Sequence, residues 1–330
     1  MSKKLSLTKP MYAALVALST GLFGCNNLGN VANTSTTTVT SAGLNNHLPR
    51  VVATTSILCD LTKQVAAETI NLTCLIPPDA NPQLYHPKLE DRKAIENAQL
   101  IFFNEYNVEP NVFKLIKASK NRIPKIAVNK RAVSVEPQSP NHYIWHNTKY
   151  GSKMVDVINN YLSKLSPENT SLYNNNSRKV KNELTRLDAW IKSRIASIPA
   201  DQRKLVTTDY AMDYYAKAYG LSYVGVSESI SNKEKPTAAQ VSALVRDIRK
   251  DSVPTIFPEN TSNLNLIKAI AKEAKVNVSK RELLVNNLGA PGSEEDTYQK
   301  MMVANTRTIV EGLGGTYLIF EPQALKSSKL

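Results

Sequence analysis

The sequence predicts an α/β protein of two similar lobes, each a four-stranded, mainly parallel sheet covered by helices, joined by one long helix with a ligand cleft between them. Three observations carry that prediction. From Arg50 onward short β-rich runs alternate with helical patterns, which implies parallel strands with covering helices. The alternation then occurs a second time. Between the two copies Leu172, Val180, Leu184, Leu187, Ile191 and Ile195 recur mostly at gaps of three and four, the mark of one long amphipathic helix. A length of 330 residues suits two domains that each bury a core.

The N-terminus reads as an export signal. Lys3, Lys4 and Lys9 form a basic region, Met11 to Leu18 a short apolar stretch, and Leu22-Phe23-Gly24-Cys25 follows. The small Gly24 before Cys25 resembles a bacterial lipobox, which predicts removal of residues 1–24 and lipidation of Cys25. An ordinary signal peptide is the alternative. Residues Asn26 to Leu48 contain no Asp, Glu, Lys or Arg and are mostly Asn, Thr, Ser, Gly and Ala, so residues 25–49 are expected to form a flexible tether. No apolar run reaches the roughly 20 residues of a spanning helix.

In the first lobe (residues 50–166) strands are expected at Val51–Thr55, Leu72–Ile76, Leu100–Phe103 and Lys125–Val128, with helices at Ile57–Ala67 and Pro87–Ala98. Ser166-Pro167-Glu168 is the preamble of the linking helix and Pro199 its stop, which defines a segment of 167–199. In the second lobe (residues 200–330) strands are expected at Lys204–Thr208, Ser222–Val226, Thr255–Phe257 and Glu282–Asn286, with helices from about Tyr210, Thr237, Asn263 and Glu295. Gly312-Leu-Gly-Gly315 reads as a helix C-cap. Cys59 and Cys74 lie in an exported domain, where they either pair or remain as buried thiols.

Ligand-binding residues of such a fold belong in loops directly after strands. Four loops stand out: 79–87, 141–146, 207–210 and 285–288. Together with Val52-Ala-Thr-Thr-Ser-Ile-Leu-Cys-Asp-Leu61, Ala98-Gln-Leu-Ile-Phe-Phe-Asn104, Tyr214 to Leu221, Ile256-Phe-Pro-Glu259 and Asn305-Thr-Arg-Thr-Ile-Val-Glu-Gly-Leu313, they resemble one family. It is that of the zinc- and manganese-binding lipoproteins of ABC transporters, the ZnuA/TroA-like cluster with a rigid linking helix. The resemblance spans about Val51 to Gly314.

The resemblance also implies four metal-ligand positions, and the residues standing there have changed. In Asn81-Pro-Gln-Leu-Tyr-His-Pro87 the first histidine is replaced by Gln83. Tyr143 stands two residues before Trp145 in place of the second. Asp209 follows Thr207-Thr208 at the third position, and Asn286 matches the aspartate of the fourth. This oxygen-type set suits manganese, calcium or magnesium better than zinc, which favours imidazole and thiolate. His86, His142 and His146 in the two N-terminal loops, with Asp209 or Glu259, are an auxiliary set for a relocated site. The bland role of a loop histidine is hydrogen bonding or exposure, and that of Glu259 is holding a loop.

The expectation is therefore an exported, membrane-anchored, monomeric solute-binding lipoprotein that hands a divalent metal ion to an ABC-transporter permease. The alternative is a paralogue that has lost the metal and serves as a surface adhesion or regulatory protein. No GxSxG elbow, HExxH helix, phosphate-binding loop or GxGxxG is present. An Asp209–Glu259 acid/base pair has no nucleophile or cofactor motif beside it, so no catalysis is expected. The 41 Lys and Arg against 28 Asp and Glu leave a net charge of +13. Removal of the three signal-peptide lysines leaves +10. Those cations are scattered over helix faces without interleaved aromatics, which points away from nucleic acid and towards an anionic membrane surface.

Overall fold

The computed structural model describes residues 48–105, 107–133, 142–207, 210–225, 237–250, 253–260 and 263–321. The expected signal peptide, Cys25 and the expected tether up to residue 47, and with them Asp209, lie outside the described residues.

The first sheet contains β1 (Arg50–Ala53), β2 (Asn71–Cys74), β3 (Leu100–Phe103) and β4 (Lys125–Ala127), all parallel, in the order β2-β1-β3-β4. The central strands β1 and β3 are apolar on both faces because helices cover both sides, whereas β2 is a largely exposed edge. Their connections are α1 (Ser56–Ala66), α2 (Leu89–Asn97) and α3 (Pro110–Ala118); the short α4 (Val128–Ala132) follows β4. Thr55 caps α1 by accepting from the Leu58 amide, and Pro110 opens α3.

The second sheet repeats the plan with β5 (Lys204–Thr207), β6 (Ser222–Gly225), β7 (Thr255–Phe257) and β8 (Asn277–Val278), again parallel and in the order β6-β5-β7-β8. Its helices are α7 (Asp213–Tyr219), α8 (Ala238–Lys250), α9 (Leu264–Ala274) and α10 (Tyr298–Gly312); here the numbering passes over two further helices between the sheets, α5 (Thr148–Leu165) and α6 (Thr170–Ala196). The linking helix α6 buries the predicted stripe from Val180 to Ile195, with Leu187 and Ile191 fully enclosed, but Leu172 at its start is exposed and Tyr173 is buried instead. The helix α5, capped by Asn147, packs against it and was not anticipated, because its apolar residues are interrupted by Lys, Asn and Ser. One continuous core joins α1 and β1 through α5 and α6 to α7 and α10.

The expected strand at Glu282–Asn286 is the clearest departure. The fourth strand of this sheet is Asn277–Val278, and Leu283 forms only an isolated bridge to Glu259. The reason is that Asn305 of α10 takes the place of a neighbouring strand. Its side chain accepts from the Leu284 amide at 2.9 Å and donates to the Leu284 carbonyl at 2.8 Å. Beyond Leu284 the Val285 amide donates to Asn260, and the Val285 carbonyl and the Leu288 amide bond with the first lobe instead of a ladder. The other boundaries differ by small margins; α10 begins at Tyr298, because Thr297 supplies its cap, and a 3₁₀ turn at Tyr210–Met212 precedes α7. Gly314, at a φ of +75°, ends the segment after α10 in the left-handed conformation that suits glycine.

Cys59 on α1 and Cys74 at the end of β2 form a disulfide, with Cα atoms 5.7 Å apart. The C-terminal segment lies along the linking helix. Arg194, Trp190 and Arg186, one turn apart on α6, donate to the carbonyls of Thr316, Leu318 and Glu321, while Phe320 is buried against Trp190.

Candidate metal centre

Parallel strands of equal direction place the C-terminal ends of β1–β4 on one side of their lobe, and the loops there build half of the site. The loop after β2 is set by an Asx turn: Asn81 Oδ1 accepts from the Gln83 amide at 3.0 Å. It is held further by Asn111, which donates to the Tyr85 carbonyl, and by Asp91, which accepts from the Tyr85 hydroxyl at 2.8 Å. Burial and the adjoining Asp91 push the Tyr85 phenol up to about 12. So fixed, Gln83 donates from Nε2 to the Tyr143 hydroxyl at 2.7 Å. Tyr143 is buried and sits edge-on against Trp145, with ring centroids 5.4 Å apart. Two of the four predicted ligand positions are therefore in direct contact.

The second half comes from the segment after Leu284. Val285 presents its carbonyl to the first lobe, where it accepts from Trp145 Nε1 at 3.0 Å and pairs with His146 Nε2 at 3.0 Å. The next two residues continue the seam: Asn287 donates to the Pro78 carbonyl and accepts from Asn260, and the Leu288 amide donates to Ser56 Oγ at 3.0 Å. Asn286 lies between these anchors. It is 4% exposed, and its Oδ1 is buried without a hydrogen-bond partner. A buried carbonyl oxygen held in that condition at a lobe junction is an acceptor in want of a donor or a cation. Its neighbours on either side touch the loops that carry Gln83 and Tyr143, so three of the four positions belong to one seam. The fourth, Asp209, falls outside the described residues, two positions after the end of β5.

The three loop histidines do not gather. His86 is exposed, His142 is half-buried, and His146 is fully enclosed. Burial holds His146 well below its ordinary value, at about 4, and lowers His142 in the same direction. The imidazole of His146 is thus neutral at pH 7, and with Nε2 as donor to Val285 it fastens the lobes. Among the described residues no three His, Cys, Asp or Glu side chains converge in a way that could hold a metal ion. Glu259 is buried beside the Leu283 bridge, where it stands at the base of the second lobe's contribution.

One carboxyl that the motif comparison passed over is Glu109. It is fully buried just before α3 and joins the ends of the two central strands of the first sheet. Thr54 Oγ1 and the Asn104 amide both donate to its Oε1, at 2.8 and 2.6 Å. Desolvation outweighs those bonds and raises it to about 7. The available signal was positional, an acid in the loop after β3, and Glu109 bears the loop rather than touching Gln83 or Tyr143 in any described contact.

The chain matches, over residues 51–312, the family described as zinc-uptake complex component A, periplasmic. It belongs to that family. This zinc-uptake family member is 30% identical over 276 residues to the manganese ABC transporter substrate-binding lipoprotein PsaA of Streptococcus mitis, across 80% of this chain and 89% of that one. It is 29% identical over 311 residues to the metal ABC transporter substrate-binding lipoprotein SsaB of Streptococcus sanguinis, across 91% and 96%. Among solved structures, the periplasmic zinc binding protein TroA from Treponema pallidum superposes with a TM-score of 0.74 at 26% identity, covering 81% of this chain and 99% of that one. The two sheets and the linking helix of this family member are thus the family fold, and the positions that the motif resemblance marked, so far as they are described, carry amides and a phenol.

Proposed function

We propose that the chain is the extracytoplasmic substrate-binding lipoprotein of an ABC transporter, taking a divalent metal ion between its lobes and delivering it to a membrane permease. Family membership and the names of its relatives support the transport role, and those names do not favour the adhesion alternative. The reading assigns no catalysis, treats the protein as a monomer, and places it on the periplasmic or extracellular face of a bacterial membrane. Residues 1–24 are its signal peptide, Cys25 its lipidated end and 25–49 its tether, ahead of lobes at 50–166 and 200–330 and the linking segment 167–199.

The ligands of the ion are Gln83, Tyr143, Asp209 and Asn286. The observation that carries this choice is the unpartnered, buried Oδ1 of Asn286, set beside the loops in which Gln83 has already committed its nitrogen to Tyr143. Both amides then offer oxygen. Carbonyl, phenol and carboxylate oxygens favour manganese over zinc. With Asp209 as the dependable anion, the ion is held weakly compared with a site of several carboxylates.

Calorimetric titration of the mature chain with manganese, zinc, calcium and magnesium tests this. Manganese is expected to bind more tightly than zinc, and Gln83→Ala with Asp209→Ala abolishes the heat. An absence of heat with every metal refutes the assignment of a metal ion.

A further inference from the structure

The first lobe has a charged end opposite the loops that follow its strands. Strand β1 starts at Arg50 and finishes beside Thr54–Ser56, where the cleft seam begins; the connection between α3 and β4 lies at the starting end of the same parallel sheet. That end carries Arg50, Lys117, Lys120, Arg122 and Lys125 against the carboxylates Glu68 and Glu96. Two contacts bring the cations together on the C-terminus of α2. Arg50 Nε donates to the Asn97 carbonyl at 2.6 Å, and Asn121, between Lys120 and Arg122, donates to the carbonyls of Ile95, Glu96 and Ala98.

Lys125 is spent locally, its Nζ donating to the Ile116 and Ser119 carbonyls at the end of α3. The remaining four are exposed, and none has an ion-pair partner among the described residues. Lys117 lies over the Phe113 ring at 5.2 Å, which leaves its charge at the surface. The chain enters the lobe at this same end, so whatever precedes Arg50 is attached beside these cations.

We propose that this end of the first lobe, centred on Arg50, Lys117, Lys120 and Arg122, is a docking surface for anionic phospholipid headgroups. Clustered cations without ion-pair partners gain from the negative surface potential of such a membrane, and the gain falls off within a Debye length. The chain enters the lobe at this end, so a tethered N-terminal lipid anchor keeps the surface within reach of a membrane, which is the one respect in which the inference rests on the lipoprotein reading.

The test uses the mature chain with Cys25→Ser, so that no acyl chain contributes, mixed with sedimentable vesicles. Vesicles of phosphatidylglycerol and phosphatidylcholine are expected to carry the protein down, and vesicles of phosphatidylcholine alone to leave it in solution. The triple variant Lys117→Gln, Lys120→Gln, Arg122→Gln is expected to partition about a hundredfold more weakly. The equal charge loss Lys250→Gln, Lys272→Gln, Lys275→Gln, on exposed positions of the second lobe, leaves partitioning unchanged. Equal loss in both triple variants, equal binding to neutral vesicles, or displacement by inorganic phosphate beyond that by NaCl of the same ionic strength overturns the proposal. Neither acylation nor a metal ion enters this measurement, so its failure leaves the transport reading standing, and failure of that reading leaves this result interpretable.

Discussion

Gln83 and Tyr143 are joined by a hydrogen bond of 2.7 Å, so two positions sixty residues apart in sequence form a single polar unit at the cleft. In the proposed site that unit is an amide and a phenol at two positions where the motif resemblance implies histidines. Its chemistry makes the first prediction. The double variant Gln83→His, Tyr143→His restores nitrogen ligands, and zinc affinity is expected to rise by at least tenfold, about 1.4 kcal/mol, measured by competition with a chromogenic chelator. Unchanged zinc affinity would place the ion elsewhere.

Glu109 gives the molecule a pH dependence of definite sign. Its carboxyl is raised from 4.5 to about 7 in the folded chain, so the neutral form favours folding. The associated stability is present below pH 4.5 and is lost as pH rises through 7. The full shift corresponds to roughly 3 kcal/mol. Glu109→Gln keeps the shape without the titration, and urea unfolding at pH 5 and pH 8 is expected to differ less in the variant than in the parent chain.

His146 works in the opposite direction. Its folded value is depressed to about 4, so its contribution is present above pH 6.5 and is lost as pH falls through 4. His146→Ala also removes the bond to Val285 and leaves a cavity, at a cost of about 3 kcal/mol near neutral pH. Thermal unfolding followed by circular dichroism from pH 7 to pH 4 is expected to show a shallower acid limb in the variant.

Gly151 on α5 faces the ring of Tyr298. A Cβ there would stand 2.9 Å from two ring carbons and closer still to the hydroxyl, which itself donates to the Trp145 carbonyl. Gly151→Ala is expected to destabilise the chain by about 2 kcal/mol, read from the urea midpoint. Adding Tyr298→Phe recovers only part of that, because the ring carbons remain.

The disulfide between Cys59 and Cys74 closes 15 residues. Loss of the bond in Cys59→Ser, Cys74→Ser is expected to cost about 3 kcal/mol on the chain-entropy account, with the ion affinity unaltered. A reduced affinity would show that α1 positions the site.

Strands flanked by clear turns and the regular apolar stripe of α6 were legible in the amino-acid order, because each depends on local periodicity. Leu283 to Asn286 were not. Their continuous apolar run is that of a strand, but Asn305, twenty-one residues on from Leu284, supplies the bonds that a neighbouring strand would. Contacts of that kind are set by tertiary packing and leave no periodic trace. The same limit applied to the site. Gln83, Tyr143 and Asn286 could be named from motif position, yet the contact between the first two and the orphaned oxygen of the third arise only when separate loops meet. His146 misled for the reverse reason: histidine at a cleft loop suggests a ligand, and only its enclosure and its bond to Val285 reveal a fastener.

The seam from Val285 to Leu288 draws its partners from Pro78, Trp145, His146 and Ser56. None of these bonds belongs to either sheet. A chain built this way keeps its proposed recognition loops apart from its sheets: substitutions at Gln83 or Asn286 leave every strand ladder and the helix between the lobes untouched. Such a scaffold is free to exchange one cargo for another over evolutionary time without first having to be rebuilt.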